Sequence, residues 1–317
     1  MNMSIAEKKK FYAKILLLGE YSIILGGEAI TVPFERYSGY FDFFSEKDET
    51  GNEAKESNRR LNKYLDYLLK PEVRNKFQFP LKLEQLKNDL DQGLYFNSTI
   101  PEGYGAGSSG ALVAAVFYYY SNQFSGEPDA DNATLLTEFR QQLALMESYF
   151  HGSSSGLDPL SCLLGRTLRI DAQKKISFPQ LPLFARQSKI TIFLVDTLMP
   201  GNTKPLVDGF KEQIAGNLLD GELLVALNNQ IVQALLNRDQ LFFDSFLKQL
   251  SLFQLENMKP MIPENIRPLW QRGIDTGEYT LKLCGSGGGG FVLGFTENYE
   301  KFKPICENEG FNSMVLL

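Results

Sequence analysis

A mixed helix-and-strand protein in two domains is what the sequence predicts, on three observations. The chain has 317 residues, against roughly 150 for a typical domain. Apolar residues make up 43% and charged residues 22%, the usage of folded soluble chains rather than of disordered or collagen-like ones. Short apolar runs beside glycine, at 14–18, 94–100 and 279–284, alternate with longer stretches of helical spacing.

The same composition excludes several functions. Lys plus Arg number 32 and Asp plus Glu 38, a formal net charge of −6, so the chain as a whole does not attract nucleic acid and an anionic ligand must be held by a local site. Cys162, Cys284 and Cys306 lie far apart, which suggests neither a disulfide framework nor a cysteine-rich zinc site and fits a reducing compartment. His151 is the single histidine, so a His-rich metal site and a relay of two imidazoles are both excluded. The N-terminus MNMSIAEKKKFYAKILLLGE sets lysines before an apolar run, as a signal peptide does, but Glu20 interrupts that run after 15–19. No later stretch reaches the ~18 apolar residues of a membrane span. A cytoplasmic protein with no membrane partner is expected.

In chain order, 14–18 reads as a buried strand entering a turn at Gly19, and 21–25 as a second strand before Gly26 and Gly27. The charged stretch 46–60 reads as a solvated loop, followed by a helix carrying Leu61, Tyr64, Leu65 and Leu68. Residues 94–100 form a strand, PEGYGAGSSG a glycine-rich turn, and 109–120 a nearly all-apolar helix. After a polar loop at 125–132, the stripe Leu136, Phe139, Leu143, Met146 and Phe150 marks a helix over 133–150, with Glu147 on its inward face. HGSSSGLDP ends it. The connection at 172–187 divides the chain into domains 1–186 and 187–317. The second opens with the strand KITIFLVDT and continues with helices at 207–215 and 222–250. It closes with strands at 279–284 and 291–295 around the run GSGGGG. No internal repeat is present.

The densest chemical signal is Gly103, Gly105, Gly107, Ser108, Ser109 and Gly110. Glycines let the backbone approach a ligand, and the helix that follows adds unpartnered amides and a positive dipole end, an arrangement suited to phosphate. Ser108 and Ser109 can cap the helix, coordinate a magnesium ion, or do one each; a tight turn with serine caps is the plainer account. A G-x-G-x-x-G is present, but the acid-tipped second strand of a dinucleotide-binding unit is missing, and no Gly-Lys-Ser/Thr completes a Walker loop. Glu147 on an apolar stripe needs a partner or a cation, unless it reaches solvent at the stripe edge. Asp158, before Pro159, is either a turn residue or a group presented into a pocket. His151 suits the end of its helix. Lys14 at the start of an apolar strand is either a solvent-facing residue or a partly buried cation with an acid near it, and Glu20 stands at the corner that follows. The 285–290 run serves close backbone approach or a loose hairpin turn.

Three spaced motifs, AKILLLGEYSIILGG, PEGYGAGSSGAL and KLCGSGGGGFVLGF, together resemble the GHMP kinase superfamily, and within it the mevalonate kinases. MESYFHGSSSGLDP and MPGNTK strengthen the likeness. The resemblance implies an α+β, two-domain GHMP kinase fold: an N-terminal domain like domain 2 of ribosomal protein S5 and a ferredoxin-like C-terminal domain, with the site between them. It implies phosphoryl transfer from ATP, with Mg2+, to a small-molecule alcohol. Mevalonate is the leading acceptor, as in isoprenoid biosynthesis, with phosphomevalonate, a sugar or a non-catalytic nucleotide-binding role as alternatives; a homodimer is compatible with this reading.

The implied roles fall on named residues. The loop 103–110 cradles the ATP phosphates, and Ser109 and Glu147 hold magnesium. Asp158 accepts or orients the proton of the acceptor hydroxyl, with Lys14 stabilising charge. Glu20, Tyr21, His151 and Thr203 belong to the substrate side or the organisation of the site, and Gly287, Gly288 and Gly289 pack the third motif against the phosphate loop. Four positions depart from the family pattern: Tyr21 where His is usual, Ala106 where Leu is, Ser154 where Pro is, and Gly201 where a basic residue often stands. The first of these is also common in phosphomevalonate kinases.

Overall fold

The protein's structure, a computed structural model, describes residues 8–44, 51–122, 133–181 and 190–316. The chain forms two compact units, each discontinuous in sequence. Unit 1 comprises Met1–Lys14, Glu35–Pro101 and Gly107–Arg166, and unit 2 comprises Ile15–Phe34, Glu102–Ala106 and Thr167–Leu317. The expected boundary at 186/187 and the expected polar loop at 125–132 lie outside the described residues.

Strand β1 (Phe11–Leu18) is buried along nearly its whole length. The second strand expected at 21–25 does not form: Ser22–Leu25 is a single 3-10 turn. Tyr21 at φ 61° and Gly26 at φ 92° are both left-handed, and four residues between two such positions curl rather than extend. The next strand, β2 (Ala29–Phe43), is long enough to serve three partners. Its start pairs antiparallel with β4 (Leu168–Ile170) and its end with β3 (Leu94–Ser98); β1 lies beside it in the same sheet, and β5 (Ile176–Ser177) pairs with β4.

In unit 1, helix α1 (Gly51–Leu69) begins well before the expected end of the charged loop. Residues 52–60 contain no proline or glycine, Glu56 pairs with Arg59 and Arg60 one turn on, and Ala54 is buried, so the charges decorate one face of a helix. Ser57 and Asn58 tie this turn to the carbonyls of Phe96, Leu90 and Leu94. After α2 (Pro71–Arg74) and α3 (Leu83–Asp91), the uncharged α4 (Ser108–Tyr120) runs through the core. It packs with α5 (Ala133–His151) and α6 (Leu157–Leu164). Phe79, Phe117 and Phe139 meet edge to face with centroids 5.0–6.1 Å apart, each pair adding about 1 kcal/mol beyond its buried area. Tyr64 and Tyr67 of α1 donate to the carbonyls of Met146 and Leu145, which fixes the rotation of α5 and with it the direction of Glu147.

Unit 2 contains β6 (Thr191–Asp196), α7 (Thr203–Ala215), α8 (Gly221–Leu236), α9 (Gln240–Asn257), α10 (Arg267–Thr276), β7 (Thr280–Leu283), β8 (Phe291–Thr296), α11 (Tyr299–Asn308) and β9 (Asn312–Val315). The sheet order is β7-β8-β6-β9, antiparallel throughout. Strand, helices, two strands, helix and strand in that order make the split βαβ arrangement of ferredoxin-like domains. Phe193 of β6 lies over Gly294 of β8, where a Cβ would enter its ring. Glu28 anchors the start of β2: its carboxylate accepts from Arg169 at 2.6 and 2.8 Å and from Gln233 at 2.9 Å.

The helix expected over 222–250 is two helices. α8 stops at Leu236, Arg238 turns the chain at φ 60°, and the Asp239 side chain caps α9 by accepting from the Phe242 amide. No helix among the described residues is long and apolar enough to cross a membrane. A left-handed arginine carries strain of ~1–2 kcal/mol that glycine lacks, offset in part by glycine's greater unfolded entropy. Arg238→Gly should therefore raise unfolding stability by about 0.5–1 kcal/mol, read as a shift in the denaturation midpoint.

Candidate active site

Eight of the expected site residues fall in unit 1. Lys14 leaves β1 with its side chain 3% exposed and places Nζ 2.7 Å from Asp158 Oδ2; it is the buried cation of the two alternatives. Asp158 sits in the first turn of α6, where the helix dipole favours a carboxylate and Pro159 is tolerated because first-turn amides have no intrahelical acceptor. Two glycines make room for the pair. A Cβ on Gly107, the left-handed N-cap of α4 at φ 79°, would lie 3.0 Å from the Lys14 stem, and one on Gly110 would lie 3.0 Å from the Asp158 backbone. Cys162 Sγ points at the Gly107 carbonyl at 3.7 Å, and burial raises its thiol pKa far above the ordinary range.

Ser109, in the first turn of α4, donates to Glu147 Oε1 at 3.1 Å and stands 3.0 Å from His151 Nε2. Glu147 and His151 share a face of α5, four residues apart. The other Glu147 oxygen accepts from Ser154 at 2.5 Å. Burial, then the nearby Asp158 charge, pushes the Glu147 carboxyl up to about 7, against the pull of the Ser154 and Ser109 hydroxyls and of Lys14. Burial also lowers the His151 pKa, favouring the neutral ring. Among the described residues no lysine or arginine forms an ion pair with Glu147, and no group of three or more His, Cys, Asp or Glu stands ready to hold a metal. A buried carboxylate beside a hydroxyl is nonetheless a fitting donor pair for magnesium, which takes hard oxygens, keeps waters and completes its shell on substrate phosphates. The amides of the first turn of α4, Ser108 among them, have no intrahelical acceptor and no side-chain cap.

The remaining expected residues gather in unit 2, in a junction built largely from main chain. Gly201 N–H donates to Gly103 O at 2.8 Å, Gly290 N–H to Met199 O at 2.6 Å and Gly288 N–H to Met261 O at 2.6 Å. A Cβ on Gly105 would stand 2.9 Å from Cys284 O, on Gly289 2.6 Å from Met199 O, and on Gly201 2.6 Å from Gly287 O. Glycine at 201 is thus required by close packing, and a basic side chain has no room there. The corner after β1 grips the same glycine run. Glu20 forms an ion pair with Lys282 at 2.6 Å, with side chains 1% and 0% exposed. Tyr21 donates its hydroxyl to Ser286 O at 2.6 Å and packs on Phe210. Ser286 in turn donates to Thr203 Oγ1 at 3.0 Å.

Residues 72–166, which span α4, α5 and α6, match the family described as "GHMP kinases N terminal domain". Over 96% of this chain and 91% of the other, the structure superimposes on L. major mevalonate kinase in complex with R-mevalonate with a TM-score of 0.62 at 17% identity. The chain has the GHMP kinase fold. Streptococcus pneumoniae phosphomevalonate kinase, in complex with phosphomevalonate and AMPPNP, shares that fold with a TM-score of 0.61 at 16% identity, over 98% of this chain and 99% of the other. A mevalonate kinase of Archaeoglobus fulgidus is 23% identical over 294 residues, 89% of each chain.

Within this GHMP kinase fold, three polar residues were not legible as site residues. Lys282 carries the signal that Lys14 carries, a cation in an apolar strand. Ser154 and Ser286 lie in glycine-rich loops where no periodicity assigns a direction to a hydroxyl.

The Glu147 environment fixes a pH dependence. Its folded pKa of about 7 exceeds its ordinary value of 4.5, so across that window the folded chain holds a proton that the unfolded chain releases, and rising pH favours unfolding. In metal-free buffer the stability should decline from about pH 4.5 to about pH 7, and Glu147→Gln should flatten this segment of the denaturation-midpoint profile.

Proposed function

We propose that the chain is an ATP- and magnesium-dependent kinase that transfers the γ-phosphoryl group to an alcohol, mevalonate, giving 5-phosphomevalonate and ADP. The observation that carries this reading is the Lys14–Asp158 pair at 2.7 Å in the same unit as Gly107 and the Ser109–Glu147 pair. Phosphoryl transfer asks a protein mainly for positioning and charge stabilisation, and these groups supply both. The α4 N-terminus and the glycine loop bind the triphosphate through backbone amides. Ser109 and Glu147 would hold magnesium, which would supply positive charge to the triphosphate. Asp158, with its side chain 35% exposed, receives the hydrogen bond of the acceptor hydroxyl and so aims the oxygen at phosphorus. As the new O–P bond forms and the bond to the β–γ bridging oxygen breaks, the hydroxyl proton passes to the Asp158 carboxylate, ADP departs with the bridging oxygen, and Lys14 stabilises the developing negative charge.

The A. fulgidus relative supports mevalonate as the acceptor across the length of the chain. Phosphomevalonate is the second reading, favoured by Tyr21 at the corner after Glu20.

ATP turnover with magnesium, measured against mevalonate, phosphomevalonate, homoserine and several sugars, should show mevalonate as the preferred acceptor. Preference for another alcohol keeps the kinase and replaces the acceptor, and silence on the whole panel overturns the reading. Asp158→Asn should lower kcat by about 10²–10⁴-fold, the range of general acid–base contributions, with ATP affinity changing far less. Normal turnover in this variant would remove Asp158 from the chemistry.

A further inference from the structure

The mechanism above leaves Ser154 without a role, although its hydroxyl makes the shortest contact to Glu147. Ser154 Oγ accepts from the Gly156 amide at 2.9 Å and lies 2.5 Å from Glu147 Oε2. With the Gly156 amide on its acceptor side, the hydroxyl turns its one proton to the carboxylate. Ser109 donates to the other oxygen, Oε1. Each Glu147 oxygen therefore receives one serine hydroxyl, one from α4 and one from the loop 152–156.

That loop is held in place from behind. Gly156 is left-handed at φ 73° and packs so closely on α5 that a Cβ would overlap the Arg140 carbonyl and lie 3.0 Å from Ala144 Cβ. Arg140 also reaches back to the Ser155 carbonyl at 3.3 Å, and Ser155 Oγ accepts from the Leu157 amide at 3.2 Å. A glutamate has three rotatable side-chain bonds, and its carboxylate keeps one orientation only when a partner fixes it. Here the partner is anchored to the backbone of a loop packed against the same helix.

We infer that Ser154 is a positioning residue for a divalent cation: it locks the Glu147 carboxylate through Oε2 so that Oε1 and Ser109 Oγ are presented together as ligands. This rests on the reading of Ser109 and Glu147 as the magnesium holders. Partners that orient a metal ligand in this way are worth about 10–100-fold in metal affinity.

The test uses the full chain with manganese alone as the probe, the free ion being followed by its EPR signal. Ser154→Ala should weaken manganese binding about tenfold, Ser154→Thr, which keeps the hydroxyl, should stay within about threefold of the wild type, and Glu147→Gln should lose binding. The magnesium concentration for half-maximal turnover should rise in Ser154→Ala by a similar factor, with a much smaller change in turnover at saturating magnesium. A thermal transition matching the wild type separates this loss from unfolding. Should Ser154→Ala fail to fold, Ser154→Cys, nearly isosteric with a weak donor, carries the same expected loss. Wild-type manganese affinity in the alanine or cysteine variant, with binding lost in Glu147→Gln, overturns the role of Ser154 and leaves the metal reading standing. Wild-type affinity in Glu147→Gln overturns the metal reading itself.

Discussion

A lysine ammonium inside an apolar strand is tolerable only with a carboxylate against it, and the architecture of unit 1 follows from that demand on Lys14. Isolated burial of the charge would cost several kcal/mol even after relaxation. Asp158 meets it at 2.7 Å, which requires the first turn of α6 to reach the strand. Gly107 and Gly110 stand where side chains would block that approach. Gly107, as the N-cap, also leaves the α4 N-terminus without a capping side chain. One ion pair therefore dictates where two helices begin, and it leaves a set of backbone amides beside it available to an anion.

Glu147 illustrates the opposite balance. It has no cationic partner of its own among the described residues, and two hydroxyls compensate only part of its desolvation, so its carboxyl is pushed up to about 7. A metal ion would supply what the protein withholds. Unit 2 solves a different problem by different means: segments around Gly103, Gly201 and Gly288 are fastened by main-chain hydrogen bonds of 2.6–2.8 Å. Glu20, Tyr21 and Lys282 are the side chains that hold the β1 corner against this junction.

Much of this was legible from the sequence, for identifiable reasons. Helix α5 and the inward direction of Glu147 follow from a 3.6-residue period sustained over about four turns, and α4 from the unbroken apolar run after the glycine loop. The glycine loop follows from composition alone. Shorter devices left no comparable trace. The corner at Ser22–Leu25 is apolar like a strand, and only its flanking left-handed residues make it a turn. The break at Arg238 involves neither glycine nor proline, so the cap at Asp239 was the sole clue. Strands β4, β5 and β9, of two to four residues, are too brief for an alternating pattern. Ser154 depends on a loop conformation that packing of Gly156 imposes from α5.

The three thiols add a consequence of another kind. Cys162, Cys284 and Cys306 are all buried and unbridged, and burial holds the Cys162 thiol far from its reactive thiolate form. Thiol-modifying reagents therefore report on conformational opening rather than on surface chemistry. Because Cys162 touches the backbone at Gly107, its alkylation rate is a clock for the loosening of the lysine pocket, available without adding any label to the chain.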